Sequence, residues 1–520
     1  MLADPVHAED RLYPFAANGN AVVAFDPTSG GIRIIDGRRH AAIPTGPGRF
    51  AVPGIPAIFT AFLKGCMLNV SVQPLENFPR EIQARELNRE VPIGAKIEGV
   101  VPGGDGWVVV RTTPSLARVV ATNGHAVMDV ALSSTERVVA MWDDGRAVIQ
   151  GATGWGVGNI AVQLGTVTSA GGEALIARID PKDRRLFQLV DVSGTDRELI
   201  GPGEWRVEDA VLRGRSAVMS CLHPRLGFGL WDEVSLERIA GTISLFSLGG
   251  REPVIRTTGA AAGSNWRTGA STIAGDIPRR PDLNIEPRII EGLPTGLTSG
   301  RSVQGLVIAL HGGPDSLEWD DLRYGGLYRS LADAGLATLV INGPGSRGFG
   351  RSLQEEGWRD WASSARRIAE VGLRVARRLD IRPTALLGVS FGAWLALQAA
   401  DALGVARVVV ASPVLDLTAH IRKYSVDRDF EAWARHRFGT RFERATAGDR
   451  DGARCSAAVT VVLPVGDRVV DPARTAQIAA ERGWSTVSVS EGHTPTTAEG
   501  AALRWTVIRQ ALTGSIEAAD

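Results

Sequence analysis

Residues 384–400 read Thr-Ala-Leu-Leu-Gly-Val-Ser-Phe-Gly-Ala-Trp-Leu-Ala-Leu-Gln-Ala-Ala, and this stretch decides the fold of the C-terminal half. An apolar run at 385–387 meets the turn Gly-Val-Ser-Phe-Gly, and a small, apolar segment follows, so the pattern predicts a strand, a sharp turn and a helix. Such a turn pushes the side-chain oxygen of its serine clear of the backbone. Glycines flank the serine because a Cβ there would collide with neighbouring strands. Ser390 is therefore the predicted nucleophile.

A nucleophilic serine needs a base and an acid that orients the base, and after this kind of turn they follow in the order Asp, His. Residues 460–463 form an apolar run typical of a buried strand. Asp467 comes shortly after that run, at the carboxyl end of the strand, where open α/β sheets place their chemistry. Asp467 is the predicted acid. Asp471 is the alternative, because it lies in the same loop, although its place before Pro472 suits a helix N-cap.

The predicted base is His493. It follows residues 485–489, which alternate as in a half-buried strand. The two other histidines after Ser390 are His420 and His436, and both lie in a polar, arginine-rich stretch with no strand before them. A strand end beyond the predicted acid is the better place for a general base.

Backbone N–H groups must bind the negative charge that develops beside such a serine. Residues 305–310 predict a strand that runs into His311-Gly-Gly-Pro314, where paired glycines allow close approach of the backbone. The N–H groups of Phe391 and Gly313 are the predicted oxyanion hole.

The chain carries several further motifs in a fixed order. They are His311-Gly-Gly-Pro, Asn342-Gly-Pro-Gly-Ser-Arg-Gly-Phe-Gly350, Gly388-Val-Ser-Phe-Gly392, Ser412-Pro-Val-Leu-Asp-Leu417, Asp467 with Val470, and Gly492-His493. As an ordered set they resemble the catalytic domain of the prolyl oligopeptidase family of serine peptidases, nearest its acylaminoacyl-peptidase-like branch, over residues 290–515. The resemblance implies an α/β-hydrolase domain with Ser390 as nucleophile, Asp467 as acid and His493 as base.

The chain departs from the family pattern at four positions. The family usually has Arg where Pro344 stands, Gly where Ala393 stands, often Gly at Thr494, and Gly at Pro464, three residues before the acid. These changes leave the predicted triad intact and bear on substrate preference.

The 520 residues exceed the usual size of one core, so two domains are expected, 1–285 and 286–520. Up to residue 285 the sequence predicts short strands between turns, four of them at 96–101, 107–111, 118–121 and 126–130. The spacing of 35 to 40 residues between such sets predicts a β-propeller of six or seven blades, with a pair of β-sandwiches as the alternative. Prolyl oligopeptidase relatives carry a seven-bladed propeller, and this one is short enough to lack a blade.

Residues 273–304, rich in Pro and Gly, are the predicted connector, with a first strand of the second domain at 284–291. Helices are predicted at 327–334, 363–379, 473–482 and 500–512, and strands at 337–341, 385–387 and 405–411. This alternation indicates a mostly parallel sheet covered on both faces. The aromatic and charged segment 416–457 is expected either as a cap over the site or against the propeller, or as helices packed on the sheet edge.

The composition excludes several classes of partner. Positive and negative side chains balance at 57 each, so neither nucleic acid nor a membrane surface is an expected partner.

The start of the chain lacks a secretory signal and no run of apolar residues is long enough to cross a bilayer, so a cytoplasmic location is expected. Three distant cysteines, Cys66, Cys221 and Cys455, indicate structural thiols, and neither metal nor cofactor is expected.

Together these features predict a serine hydrolase that cleaves a peptide or small amide bond through an acyl-enzyme on Ser390. An esterase, thioesterase or tailoring acyl-transferase with the same triad is the alternative, because one such site serves any acyl transfer. A propeller-based interaction protein with an inactive hydrolase domain is the third hypothesis.

Overall fold

The structure is a computed structural model that describes most of residues 13–514. The undescribed residues are 1–12, 19–20, 27–30, 37–38, 44–48, 53–54, 75–84, 102–105, 134–135, 142–146, 152–153, 158–159, 163–165, 171–172, 180–185, 191–195, 214–215, 247–251, 276, 320–322, 359, 425–433, 436, 439–454, 496–497 and 515–520.

In the described part of the N-terminal half, 28 strands form seven antiparallel sheets, each built from four consecutive strands. The strands are β1 (Tyr13–Asn18), β2 (Ala21–Asp26), β3 (Gly31–Asp36), β4 (Arg39–Ile43), β5 (Arg49–Val52), β6 (Ile55–Lys64), β7 (Met67–Pro74), β8 (Arg85–Glu90), β9 (Lys96–Val101), β10 (Trp107–Thr113), β11 (Leu116–Ala121), β12 (Val127–Ala131), β13 (Arg137–Met141), β14 (Ala147–Gly151), β15 (Gly154–Val157), β16 (Ile160–Val162), β17 (Thr166–Ala170), β18 (Glu173–Ile179), β19 (Leu186–Val190), β20 (Asp196–Ile200), β21 (Arg206–Arg213), β22 (Ser216–His223), β23 (Gly227–Trp231), β24 (Leu236–Arg238), β25 (Thr242–Phe246), β26 (Val254–Gly259), β27 (Gly263–Thr268) and β28 (Ser271–Ala274).

The seven sheets are the blades of a β-propeller, which confirms that prediction and excludes the pair of sandwiches. The four strands predicted between residues 96 and 130 are β9–β12 of the third sheet. The first and last sheets meet: Val22 of β2 lies in one buried cluster with Val254, Trp266 and Ile273 of the seventh sheet. This contact closes the ring.

The C-terminal half contains one eight-stranded sheet in the order β29-β30-β32-β31-β33-β34-β35-β36 among its described residues. Its strands are β29 (Asn284–Ile290), β30 (Leu293–Ser299), β31 (Gly305–Leu310), β32 (Leu336–Ile341), β33 (Pro383–Val389), β34 (Arg407–Ala411), β35 (Ala458–Pro464) and β36 (Ser485–Val489). Strands β31–β36 pair in parallel, and the hairpin β29–β30 is attached antiparallel to β32. This is the mostly parallel sheet expected from the sequence.

Helices cover both faces of the sheet. Those described are α1 (Arg323–Asp333), α2 (Arg351–Glu356), α3 (Trp361–Leu379), α4 (Phe391–Leu403), α5 (Leu417–Tyr424), α6 (Pro472–Glu481) and α7 (Ala498–Thr513). Alternate residues of β31 face opposite layers: Ile308 packs in the core that contains α3 and α4, and Val307 in the core that contains α1 and α7. Because strands β31–β36 all run parallel, their carboxyl ends lie at one edge of the sheet.

The prediction of a connector over residues 273–304 is wrong in its second half. Residues 293–299 form strand β30, whose first six residues are all buried. Pro294 lies within it and accepts a hydrogen bond from the N–H of Asn342 through its carbonyl oxygen, at 2.9 Å. The sequence did not predict this strand because it contains a proline and a glycine and because its apolar and polar residues do not alternate. The last propeller strand ends at Ala274 and β29 begins at Asn284, which supports the boundary that we propose between 1–285 and 286–520.

Polar contacts, one of them buried, join the propeller to the second domain. The guanidinium of Arg329 on α1 donates to the carbonyl oxygens of Ala260 and Pro278, both at 2.7 Å. Glu208 of β21 forms an ion pair with Arg347 at 3.1 Å. The two domains thus share a polar as well as an apolar interface.

The segment 416–457 is described only in part. Helix α5 opens it, and Phe438, which is buried, packs its ring 5.7 Å from that of Phe391 beside the predicted nucleophile. Phe430, Trp433 and Phe442 lie outside the described residues. Phe438 therefore contacts the site, as the cap interpretation requires. No helix in the described part of the chain is long and apolar enough to cross a membrane.

Candidate active site

Ser390 lies between strand β33 and helix α4 with φ 53° and ψ −119°, a region that residues with a side chain rarely adopt. The flanking glycines make the turn possible. A Cβ on Gly388 would lie 2.5 Å from the Cα of Ala393, and one on Gly392 would lie 2.3 Å from the carbonyl oxygen of His311. The turn predicted from the sequence is therefore present, and it exists because helix α4 packs backbone to backbone on the end of β31.

The end of β34 and the loop that follows it hold the backbone of Ser390 on both sides. The N–H of Ser390 donates to the carbonyl oxygen of Ala411 at 3.0 Å, and the N–H of Val414 donates to the carbonyl oxygen of Ser390 at 3.2 Å. Two hydrogen bonds to a neighbouring loop offset part of the strain of the unusual backbone angles.

Asp467 lies in the loop after β35, and its carboxylate is nearly buried. Its Oδ1 accepts the N–H groups of Val469 at 2.8 Å and Val470 at 2.9 Å, and its Oδ2 lies 2.8 Å from Nδ1 of His493. Burial raises the pKa of this carboxyl, but the hydrogen bonds from His493 and the two N–H groups outweigh it and bring the pKa below the usual 3.8. Asp467 is therefore ionised at neutral pH.

The imidazole of His493 lies between the acid and the serine. Nδ1 faces Asp467, and Nε2 lies 3.2 Å from Oγ of Ser390. If Nδ1–H donates to the carboxylate, Nε2 is left as an acceptor for the serine hydroxyl. Ser390, Asp467 and His493, which the sequence predicted as the catalytic residues, lie in three separate loops, and the structure brings their side chains within hydrogen-bond distance.

Asp471, the alternative acid, serves another purpose. Its Oδ1 accepts the N–H groups of Ala473 at 3.0 Å and Arg474 at 3.2 Å, so it caps helix α6, and Pro472 occupies the first helical position. This matches the N-cap predicted from the sequence.

The loop His311–Pro314 lies directly against the serine. A Cβ on Gly312 would be 3.1 Å from Cβ of Ser390, and Gly313 has φ 125°, a conformation that favours glycine. The ring of His311 holds this loop: Nδ1 lies 2.6 Å from the carbonyl oxygen of Gly312 and Nε2 lies 2.9 Å from Oγ of Ser346. Phe391 is the first residue of α4, so its N–H lies in the free first turn of the helix.

Next to the triad is a cavity of about 180 Å³ between the loop after β34 and the loop that contains the acid. Its apolar side is formed by Val414, Leu415, Ala419, Val470 and Ile478, and polar residues, among them His420, Asp471 and Arg474, line the remainder. The N–H of Val414 donates to the carbonyl oxygen of Ser390, and the N–H of Val470 donates to Oδ1 of Asp467, so the cavity lies beside the candidate site. The sequence did not mark His420 as a lining residue, because only the fold brings α5 beside α6.

Pro344, the first of the four departures from the family pattern, lines a small cavity together with His311, Trp361 and Phe391. Trp361 packs edge-on against Phe391 with ring centroids 4.8 Å apart. The lining of this small cavity is therefore largely apolar, with His311 and Ser346 as its polar side chains.

A propeller followed by an α/β-hydrolase sheet with a serine, a histidine and an aspartate in hydrogen-bonded sequence defines the class of propeller-bearing α/β-hydrolases. Comparison with known proteins agrees with this class. Residues 307–508 match the alpha/beta hydrolase family. Dipeptidyl aminopeptidase BIII of Pseudoxanthomonas mexicana is 30% identical over 174 residues, which cover 32% of this chain and 22%, about a fifth, of that protein.

Solved structures of similar architecture match almost the whole chain. Pyrococcus horikoshii acylaminoacyl peptidase has a TM-score of 0.71 at 11% identity, with 99% of this chain and 98% of that chain covered. A puromycin-hydrolyzing peptidase of Mycobacterium tuberculosis has a TM-score of 0.67 at 16% identity, with 98% and 96% covered. Oligopeptidase B of Leishmania major has a TM-score of 0.66 at 11% identity, with 99% and 88% covered. These matches show that the chain has the fold shared by these proteins, as the resemblance to the prolyl oligopeptidase family implied.

Sequence reasoning missed two residues that contact the backbone of His493, namely Ser412 and Arg504. A signal for Arg504 was present. It lies at helical spacing from Ala501 and Ile508 on the apolar face of α7, and a charged residue on such a face needs a buried partner.

Proposed function

We propose that this protein is a serine hydrolase of prolyl oligopeptidase type that cleaves peptide or small amide bonds through an acyl-enzyme. The observation that carries the proposal is the pair of hydrogen bonds made by His493, one to Asp467 at 2.8 Å and one to Ser390 at 3.2 Å. Nucleophile, base and acid within hydrogen-bond reach form the arrangement that activates a serine.

In the proposed reaction Oγ of Ser390 attacks the substrate carbonyl carbon while Nε2 of His493 takes the hydroxyl proton. The same nitrogen then protonates the leaving amine, and the acyl group stays on Ser390 as an ester. His493 then deprotonates a water molecule that attacks this ester, and Nε2 returns the proton to the leaving Oγ of Ser390 as the carboxylic acid is released. Asp467 stays ionised throughout, because its lowered pKa keeps it a carboxylate that fixes the tautomer and stabilises the imidazolium.

The N–H groups of Phe391 and Gly313 are the proposed donors to the oxyanion of the tetrahedral intermediate. The close approach of Gly312 to Ser390 and the start of α4 at Phe391 support this assignment. The positive end of the α4 dipole lies at the same place and favours negative charge there.

The peptide preference rests on the similar proteins, since the names of those compared above all denote peptidases. The apolar cavity beside the triad, about 180 Å³, is of a size to take one side chain of such a substrate. A cytoplasmic location remains the prediction made from the sequence.

A panel of substrates tests the proposal. Purified protein is incubated with aminoacyl-p-nitroanilides, blocked peptides and p-nitrophenyl esters, and Ser390 is probed in parallel with a fluorophosphonate. Turnover of anilides or peptides together with labelling of Ser390 is the expected result. Activity on esters alone would identify an esterase or acyl-transferase. An unlabelled Ser390 and no turnover would indicate an inactive hydrolase domain on an interaction protein.

A further inference from the structure

Helix α7 carries an arginine that is completely buried. Arg504 has 0% exposure, yet it lies beside Trp505 and one turn from Ile508 in the core beneath the sheet. A guanidinium keeps its charge at every physiological pH, so burying it is unfavourable unless its N–H groups find acceptors. The groups that accept hydrogen bonds from Arg504 therefore indicate the role of this side chain.

Two of the three described acceptors of Arg504 belong to the loop that carries the proposed base; the third is Oγ of Ser412. Nη1 donates to the carbonyl oxygen of His493 at 2.7 Å, and Nη2 donates to the carbonyl oxygen of Gly492. One planar group thus holds two successive peptide units. Because the guanidinium is rigid and fork-shaped, it fixes their relative orientation as well as their position.

A second donor reaches the same carbonyl. Oγ of Ser412 donates to the carbonyl oxygen of His493 at 3.1 Å, and Nη1 of Arg504 lies 3.3 Å from that Oγ. Ser412 is itself fixed: it is buried, has φ 48°, and its N–H donates to the carbonyl oxygen of Val462. The backbone of His493 is therefore anchored both to α7 and to the loop between β34 and β35.

The loop that contains Ser412 also holds the nucleophile. Ala411 and Val414, on either side of Ser412, are hydrogen-bonded to the backbone of Ser390. Segment 411–414 is therefore hydrogen-bonded to the backbones of both Ser390 and His493. Arg504 adds a further hydrogen bond to the carbonyl oxygen of His493.

We propose that Arg504 is a positioning residue for the acyl-transfer site, acting on His493 through the carbonyl oxygens of Gly492 and His493. The proposal rests on the proposed function, because it assigns a task to the base of that reaction. Displacing reacting groups by about 1 Å can lower rates by about 100-fold, so a small shift of this loop is enough to affect chemistry.

Arg329 is a matched control. It is also a buried arginine, with 1% exposure, and it donates to two backbone carbonyl oxygens, but these belong to Ala260 and Pro278 at the domain interface. Arg504→Lys and Arg329→Lys therefore each replace a guanidinium that is buried to the same extent and that donates to two backbone carbonyl oxygens. Both variants are expected to lower the melting temperature.

The test is the rate of fluorophosphonate labelling of the folded full-length chain, resolved into its maximal rate and its half-saturating probe concentration. Arg504→Lys should lower the maximal rate by about 10- to 100-fold with half-saturation within about twofold, whereas Arg329→Lys should label like the wild type. Guanidinium ion at low millimolar concentration should restore part of the rate in Arg504→Ala, since it can occupy the vacated space.

Two outcomes overturn the proposal in different ways. If the wild type is not labelled at Ser390, the proposed function fails and the positioning role fails with it. If the wild type is labelled and Arg504→Lys is labelled at the same rate, the proposed function stands and Arg504 is merely structural. Should Arg504→Ala fail to fold, Arg504→Lys, normalised to its folded fraction by circular dichroism, decides the matter alone.

Discussion

Gly392 lies so close to His311 that a Cβ on the glycine would stand 2.3 Å from the carbonyl oxygen of the histidine. The second obstacle, the carbonyl oxygen of Leu310, would lie at 2.6 Å. Both are backbone atoms at the end of strand β31 and cannot rotate away. Helix α4 can therefore approach the end of strand β31 this closely only because residue 392 has no side chain.

Gly392→Ala should destabilise the protein by about 1–3 kcal/mol and shift the Ser390 turn, with loss of turnover. Gly326→Ala is the control, because Gly326 lies within helix α1 and a Cβ added there would meet open space. That change should be neutral or raise stability by about 0.5–1 kcal/mol. Urea unfolding of both variants measures the difference. Equal stability of the two would show that helix α4 can retreat from the sheet at no cost.

Ser390→Ala should abolish acyl transfer and leave the fold nearly unchanged. The serine is partly exposed, and alanine keeps the Cβ that packs against the loop His311–Pro314, so the change removes only the nucleophilic oxygen. The free energy of unfolding should stay within about 0.5 kcal/mol of the wild type. Thermal unfolding and anilide turnover, measured on one preparation, check the two halves of the prediction. A melting temperature many degrees lower would mark the serine as structural.

Asp467→Asn and Asp471→Asn should affect different properties. The first change favours the wrong tautomer of His493 and should reduce turnover by about 10⁴-fold with the fold intact, the magnitude known for the corresponding change in a serine protease. The second weakens the cap of helix α6 and should cost about 1 kcal/mol or less of stability, with turnover retained. Steady-state kinetics and thermal melts of both variants separate the two. An inactive Asp471→Asn beside an active Asp467→Asn would reverse the assignment of the acid.

The lowered pKa of Asp467 predicts a dependence of stability on pH. Because the folded pKa is below the ordinary 3.8, the stabilising contribution of this carboxylate is complete above that value and is lost as the pH falls through the folded pKa. The wild type should therefore lose more stability than Asp467→Asn between about pH 7 and about pH 3. Urea unfolding of both proteins at the two pH values measures this. Parallel losses would mean that the carboxylate gains nothing from its partners on folding.

The three cysteines should differ in reactivity. Cys221 is fully buried in β22, and burial raises the pKa of its thiol to about 12, so the reactive thiolate is scarce and inaccessible. Cys66 and Cys455 are partly exposed. Ellman's reagent should modify Cys66 and, more slowly, Cys455 in the native protein, and Cys221 only in denaturant. Peptide mapping of the modified sites provides the measurement, and native labelling of Cys221 would contradict it.

Local patterns were enough to predict the parallel sheet and the three polar residues at its edge. Strand β31 and strand β36 have the bounds expected from their apolar or alternating runs, and helix α3 begins only two residues before its predicted start. Buried parallel strands carry apolar runs, and their loops carry the chemistry, so both signals lie in short contiguous segments.

Features that depend on distant parts of the chain were not predictable in this way. Strand β30 was missed because Pro294 and Gly296 normally interrupt strands, and helix α2 is too short to show a period. The apolar face of α7 indicates that Arg504 is buried, but the carbonyl oxygens that accept its hydrogen bonds belong to another loop. Only the folded arrangement identifies such partners.

The buried cluster that Val22 shares with Trp266 also governs when the protein can fold during synthesis. Ribosomes add about 5–20 residues per second, so roughly 12–50 s pass between the emergence of these two side chains. Throughout that interval the first propeller sheet lacks the neighbour against which Val22 is buried. The nascent chain therefore exposes apolar strand surface until the seventh sheet has left the ribosome, and that window is when the protein most needs a chaperone.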